Sequence, residues 1–178
     1  MKLTSKLTLL LLLSIIVSCD KCKKEDTPNQ IGTTVLPPAT TTGENTMGCL
    51  INGEVWLPLK ENYFGNLVYD VSFEVAPLSQ GGGVSIQAVK GSEVLLVFAE
   101  DVTDIGVYYY HNWAYISNYN YANNCGIYRL DSTYINSVEI TNLDYSENIV
   151  SGLFQMRLIN EECDTLTITE GRFDLSEN

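Results

Sequence analysis

The chain has 178 residues, 22 of them acidic and ten basic, and a formal charge of −12 at pH 7. That length is enough for one domain with a real core. The acidic balance argues against nucleic acid as a partner and against a protein surface that docks on anionic headgroups.

Lys2 and Lys6 open the chain on positive charge, and residues 7–17 are mostly Leu, Ile and Val. This run is too short to span a bilayer and has the layout of a secretory signal. A releasing signal would want an A-x-A-type site, which is not obvious, and a signal anchor would need roughly 20 apolar residues. The run ends in Ile16-Val17-Ser18-Cys19, four residues that resemble the lipobox of bacterial lipoprotein precursors. The resemblance implies a leader over 1–18 cut before Cys19, a diacylglycerylated thiol at Cys19, and a membrane partner reached through that lipid. Each buried CH₂ contributes about 0.8 kcal/mol, so two or three acyl chains hold where one binds weakly. The leader carries two of the basic residues and none of the acidic ones, so its removal takes the formal charge to −14.

Residues 19–46 start charged, at Asp20-Lys21-Cys22-Lys23-Lys24-Glu25-Asp26, and continue into Thr, Pro, Gly and Asn, with Pro37-Pro38 and Thr40-Thr41-Thr42. Such a composition buries too little apolar surface to offset ordering, which predicts a flexible tether. It would span about 30 Å on average and roughly 90 Å pulled straight. Lys24-Glu25-Asp26 resembles surface-export signals of Bacteroidota lipoproteins. That likeness implies the outer membrane as destination and leaves the leaflet open.

From 47 to 178 the pattern is strand after strand. Leu67, Tyr69, Val71, Phe73 and Val75 alternate with more polar neighbours, which predicts one half-buried strand. Val84, Ile86 and Ala88 repeat the alternation after Gly81-Gly82-Gly83. Residues 94–99 are continuously apolar, as in a central strand covered on both sides. Further strands are expected at 105–110, 113–117, 126–130, 134–141 and 149–159. No segment carries helical periodicity with caps, so the expected fold is all-β, an antiparallel sandwich of immunoglobulin-like or Greek-key type over 47–178.

The final strand changes parity. Leu166 and Ile168 face one way, while Phe173 and Leu175 sit on the opposite register. One extra residue at Glu170-Gly171, with Gly171 left-handed in a bulge, would keep all four inward; a hairpin turn at Gly171 is the competing reading. Gly152 marks a second bulge or a close backbone approach. The hairpin-like Gly48-Cys49-Leu50-Ile51-Asn52-Gly53-Glu54-Val55-Trp56, then Pro58, together with 149–154 and 164–174, is similar to cell-envelope lipoprotein domains of Bacteroidota. The resemblance implies a β-sandwich on a lipid anchor and assigns no catalytic residue.

Besides Cys19 and the tether residue Cys22, the domain contains Cys49, Cys125 and Cys163, which suit disulfide chemistry in an oxidising envelope. A Cys125–Cys163 bridge would close a loop worth about 4 kcal/mol by chain entropy. In a simple meander, however, those two residues fall at opposite ends of the sheet. A Greek-key crossing, or pairing of either one with Cys49, would remove the conflict.

His111 is the sole histidine, and no nucleophile elbow accompanies it. There is no CxxC inside the domain, and Glu100-Asp101-x-x-Asp104 and Glu161-Glu162-Cys163-Asp164 do not follow an EF-hand pattern. No metal, cofactor or catalytic group is therefore expected, and oligomeric state is not legible. The stretch 107–121 is the candidate working surface. Tyr108, Tyr110, Trp113, Tyr115, Tyr119 and Tyr121 there combine apolar rings with polar tips, suited to a glycan or an envelope protein. Strand filling is the plainer use of the same residues. Asp131-Ser132-Thr133 and Asp164-Thr165-Leu166 resemble Asp-Ser/Thr-x O-glycosylation acceptors, and are also ordinary turn chemistry. The expected function is a lipid-anchored, non-catalytic binding or structural module. The alternatives are a hydrolase using a carboxylate pair and an accessory subunit of an outer-membrane uptake complex.

Overall fold

Alternating apolar residues become antiparallel strands because period-2 spacing buries one side of each. The structure, a computed structural model, describes residues 35–77, 79, 81–109, 114–119 and 125–177. Among them the strands are β1 (Thr46–Ile51), β2 (Glu54–Trp56), β3 (Leu59–Glu61), β4 (Leu67–Tyr69), β5 (Val71–Ala76), β6 (Gly83–Lys90), β7 (Glu93–Glu100), β8 (Gly106–Tyr109), β9 (Ala114–Ser117), β10 (Ile127–Leu130), β11 (Ser137–Asp144), β12 (Ile149–Ile159) and β13 (Thr165–Ser176). One curled sheet runs β2-β1-β13-β12-β10-β9-β7-β6-β5, and β11 and β8 branch from β12. The fork lies within β12: Ile149 to Gln155 pair with β11, whereas Leu158 and Ile159 pair with β10. This is an all-β, sandwich-like fold. Its interior holds Met47, Ile51, Ile86, Leu95, Ile116, Ile140, Met156, Leu158, Ile168 and Leu175, all essentially inaccessible to solvent.

The parity change in the final strand is a bulge. Phe154 pairs with Gly171 and Met156 with Ile168, so β13 has one extra residue relative to β12. The same residue is extra relative to β1, where Gly48 pairs with Arg172 and Leu50 with Thr169. The left-handed residue is Glu170 (φ 51°) and not Gly171 as expected. Gly171 is needed for space, because a Cβ there would lie 2.5 Å from the Phe154 ring. Gly152 is likewise a close approach: its Cβ would fall 2.3 Å from the Glu139 carbonyl oxygen. The bulge next to it belongs to β11, between Ile140 and Asn142.

The strand expected over 67–75 is divided at Asp70. Its N–H donates to the Pro58 carbonyl at 2.6 Å and its carbonyl accepts from Val89 N–H at 2.9 Å. There the chain leaves β3 as partner and joins β6. β7 is central in its sheet but closed on one side only: Leu95, Val97 and Ala99 are buried, while Val94, Leu96 and Phe98 stay half-exposed.

The tether expected over 19–46 needs correction from residue 35 on, because residues 35–45 are docked on the strands. Asp174, 1% exposed, collects the N–H groups of Thr42 (3.1 Å), Gly43 (2.8 Å) and Glu44 (3.2 Å) and the Ser151 hydroxyl (2.6 Å). Burial pushes this carboxyl up, yet the hydrogen bonds from Ser151, Gly43 and Glu44 outweigh it and hold it below the ordinary range. Asn142 Nδ2 donates to the Thr41 carbonyl and Ser176 Oγ to the Gly43 carbonyl. Leu36 and Pro37 meet Leu57 over Gly48, where a Cβ would collide at 2.6 Å. Residues 19–34, with Cys19 and Cys22, lie outside the described residues, as does the leader.

Candidate binding cleft

Two turns gather at one end of the sheet. Asn52-Gly53 joins β1 to β2 with both residues left-handed (φ 51° and 85°), the geometry a two-residue hairpin of this hand requires. Asn52 is tied to β13 through its own N–H to the Thr167 carbonyl (2.9 Å) and through Oδ1, which accepts from Thr167 N–H (2.8 Å). The turn after β12 is organised by Asn160, whose Nδ2 donates to the carbonyls of Cys125 and Ile127 and whose Oδ1 accepts from Glu162 N–H. Cys125 and Cys163 are disulfide-bonded, with Cα atoms 6.0 Å apart. The topological objection to this pair falls because β10 bypasses β11 to pair with the end of β12. Cys49 is reduced and fully buried, and burial pushes its thiol far above the ordinary range.

Between these turns lies a cavity of about 230 Å³ lined by Ile51, Asn52, Glu54, Tyr119, Tyr128, Asp164 and Leu166. β10 supplies Tyr128, whose hydroxyl donates to Asp164 Oδ1 at 2.6 Å. Burial and that bond push the Tyr128 phenol up to about 12. Tyr119 meets Tyr128 edge-on, ring centroids 6.3 Å apart at 90°. Its phenol is also raised, by burial first and then by the negative charges of Glu93 and Glu54. Close by, the Trp56 indole donates to Glu93 Oε2 at 2.7 Å and fixes the start of β7 to β2. The lining therefore offers two phenols held protonated, one amide and two carboxylates, a mixed set of donors and acceptors beside an aromatic pair. Among the described residues no group of three His, Cys, Asp or Glu side chains is placed to hold a metal.

Of the aromatic stretch expected to act together, the described members Tyr108, Tyr115 and Tyr119 take separate places. Tyr108 is half-buried against the core, and its hydroxyl donates to the Asp104 carbonyl (2.7 Å) while accepting from Thr103 and Asp104 N–H. It holds a turn. Tyr115 lies on the outer side of β9 between Leu96 and Arg129. Tyr119 alone of the described candidates enters the cleft; Tyr110, Trp113, Tyr121 and His111 lie outside the described residues. Asn52, Glu54, Tyr128 and Asp164 were missed as site residues, since they come from separate segments with no shared motif. In the two acceptor-like tripeptides, Ser132 and Thr165 are exposed. Asp131 Oδ1 accepts from the N–H (2.9 Å) and hydroxyl (2.6 Å) of Thr133, the turn chemistry that was the plainer reading. No protein-family model, curated protein or solved structure matches the chain.

Proposed function

We propose that the protein is a lipid-anchored lipoprotein of the bacterial cell envelope, held in the outer membrane through Cys19, whose β-sandwich is a binding module. The observation that carries the binding role is the cleft of Asn52, Glu54, Tyr119, Tyr128 and Asp164 on a disulfide-braced frame. Carboxylates and an amide accept and donate to vicinal hydroxyls, and tyrosine rings cover C–H faces, so a glycan is the ligand class this lining favours. Titration against envelope glycans tests it. Binding that Tyr119→Ala and Asp164→Asn each weaken about tenfold, one lost contact of roughly 1.4 kcal/mol, supports it; no binding to any such glycan overturns it. Metabolic labelling with a fatty-acid analogue tests the anchor, and Cys19→Ala should abolish the label.

A hydrolase is the second reading, favoured by the presence of Glu54 and Asp164 in one cavity. Asp164 is engaged by the Tyr128 hydroxyl, which suits a fixed acceptor better than a proton donor. Release of reducing sugar that disappears in Glu54→Gln would establish the enzyme instead.

A further inference from the structure

The β3–β4 hairpin ends in an aromatic tip. Asn62 N–H donates to the Asn66 carbonyl (2.8 Å), Gly65 N–H to the Asn62 carbonyl (2.9 Å), and Asn62 Oδ1 accepts from the N–H groups of Phe64 and Asn66 (3.0 Å each). Gly65 is left-handed (φ 78°), completing a three-residue hairpin loop. This bracing directs Tyr63 and Phe64 outward, 97% and 82% exposed, in edge-to-face contact with each other at 5.5 Å. Two large aromatic side chains at the end of a braced projection are an unusual use of a turn, where Gly, Asn and Asp are the ordinary choice.

The root of this hairpin is also where the chain arrives from Cys19. Leu36 and Pro37 lie with Leu57 over Gly48, and Leu57 is two residues ahead of β3. Fifteen residues, 20–34, separate the lipidation site from the docked segment, enough to reach roughly 50 Å when extended. The hairpin itself projects about 15–20 Å. An anchor on that leash lets the tip touch the surface holding it. The charge of the hairpin specifies the lipid. Lys60 is committed to Asp70 at 2.5 Å, Glu61 is exposed, and the chain's formal charge is −12. The hairpin thus offers anionic headgroups no free cation among its described residues, while Tyr and Phe partition into the interface without one.

We propose that Tyr63 and Phe64 insert into the headgroup–acyl boundary of the zwitterionic membrane surface next to the anchor, a second and reversible contact that orients the domain; this rests on the lipid-anchor reading. In the full mature chain, Phe64→Trp adds one indole to Trp56 and Trp113. With phosphatidylcholine vesicles containing brominated acyl chains, its added emission should be quenched well beyond that of the parent. The same measurement on the acyl-free Cys19→Ala chain at high lipid separates the two claims. There, Tyr63→Ser with Phe64→Ser should lower vesicle partitioning about tenfold or more; both side chains are exposed and outside the core, so the fold is spared. Quenching no greater than the parent's in both forms, or partitioning unchanged by the double substitution, overturns the proposal even if Cys19 is acylated. Quenching retained when the chain with Cys19 intact takes up no fatty acid label would refute the anchor and support the tip. Quenching that appears only when envelope proteins are added would assign the tip to a protein partner and overturn it too.

Discussion

A single carboxylate, Asp174, gathers the backbone of the N-terminal strap. It serves three consecutive backbone N–H groups and one hydroxyl from a nearly sealed position. Asp174→Asn should cost about 2 kcal/mol, since hydrogen bonds to a charged acceptor are worth more than neutral ones. Its folded pKa is depressed, so its contribution is complete above the unfolded carboxyl value near 4 and fades as pH falls through the lower folded value. Urea unfolding of the two proteins should therefore differ at pH 7 and converge toward pH 2. Equal stabilities at pH 7 would remove Asp174 from this role. Glycine positions are as exacting. Gly152→Ala places a methyl into the Glu139 carbonyl and the Phe173 ring, and should destabilise by about 2–3 kcal/mol in the same measurement.

Strand alternation made some elements readable and hid others. β12 coincides with the expected 149–159 because Val150, Phe154, Met156 and Leu158 keep one parity inward along its whole length. The bulge in β13 was legible for the same reason, since a parity change inside an apolar run has few solutions. The break at Asp70 was not, because the alternation continues through it while the hydrogen-bonding partner changes. Residues 35–45 look like a linker by composition, and what docks them is a side chain some 130 positions away. The cleft suffered most: its lining is assembled from four stretches that share nothing in sequence. The disulfide was readable as chemistry but not as geometry until β10 was seen beside β12. Replacing Cys125 and Cys163 with Ser should cost about 4 kcal/mol for a 38-residue separation, measured as the shift in denaturation midpoint. A native thiol titration should meanwhile leave buried Cys49 unreactive until unfolding.

For the molecule as a whole, the folded unit reaches back at least to residue 35. A chain beginning at 47 would strip Asp174 of its three backbone donors and uncover Leu57 and Ser176; a chain beginning at 35 would not. The first should melt several degrees lower, about 4 °C for each 1 kcal/mol lost in a domain of this size. Equal melting temperatures would return residues 35–46 to the tether.

The position of β13 has a consequence for biogenesis. Residues 165–176 lie between β1 and β12, so the strand made latest among those described supplies the seam holding the earliest one. Until it emerges, both neighbours present naked edges and the sheet cannot seal. Such non-local closure slows folding and keeps nascent polypeptide loose. That delay would suit export through a narrow translocation pore, and it makes C-terminal truncations more damaging than their length alone implies.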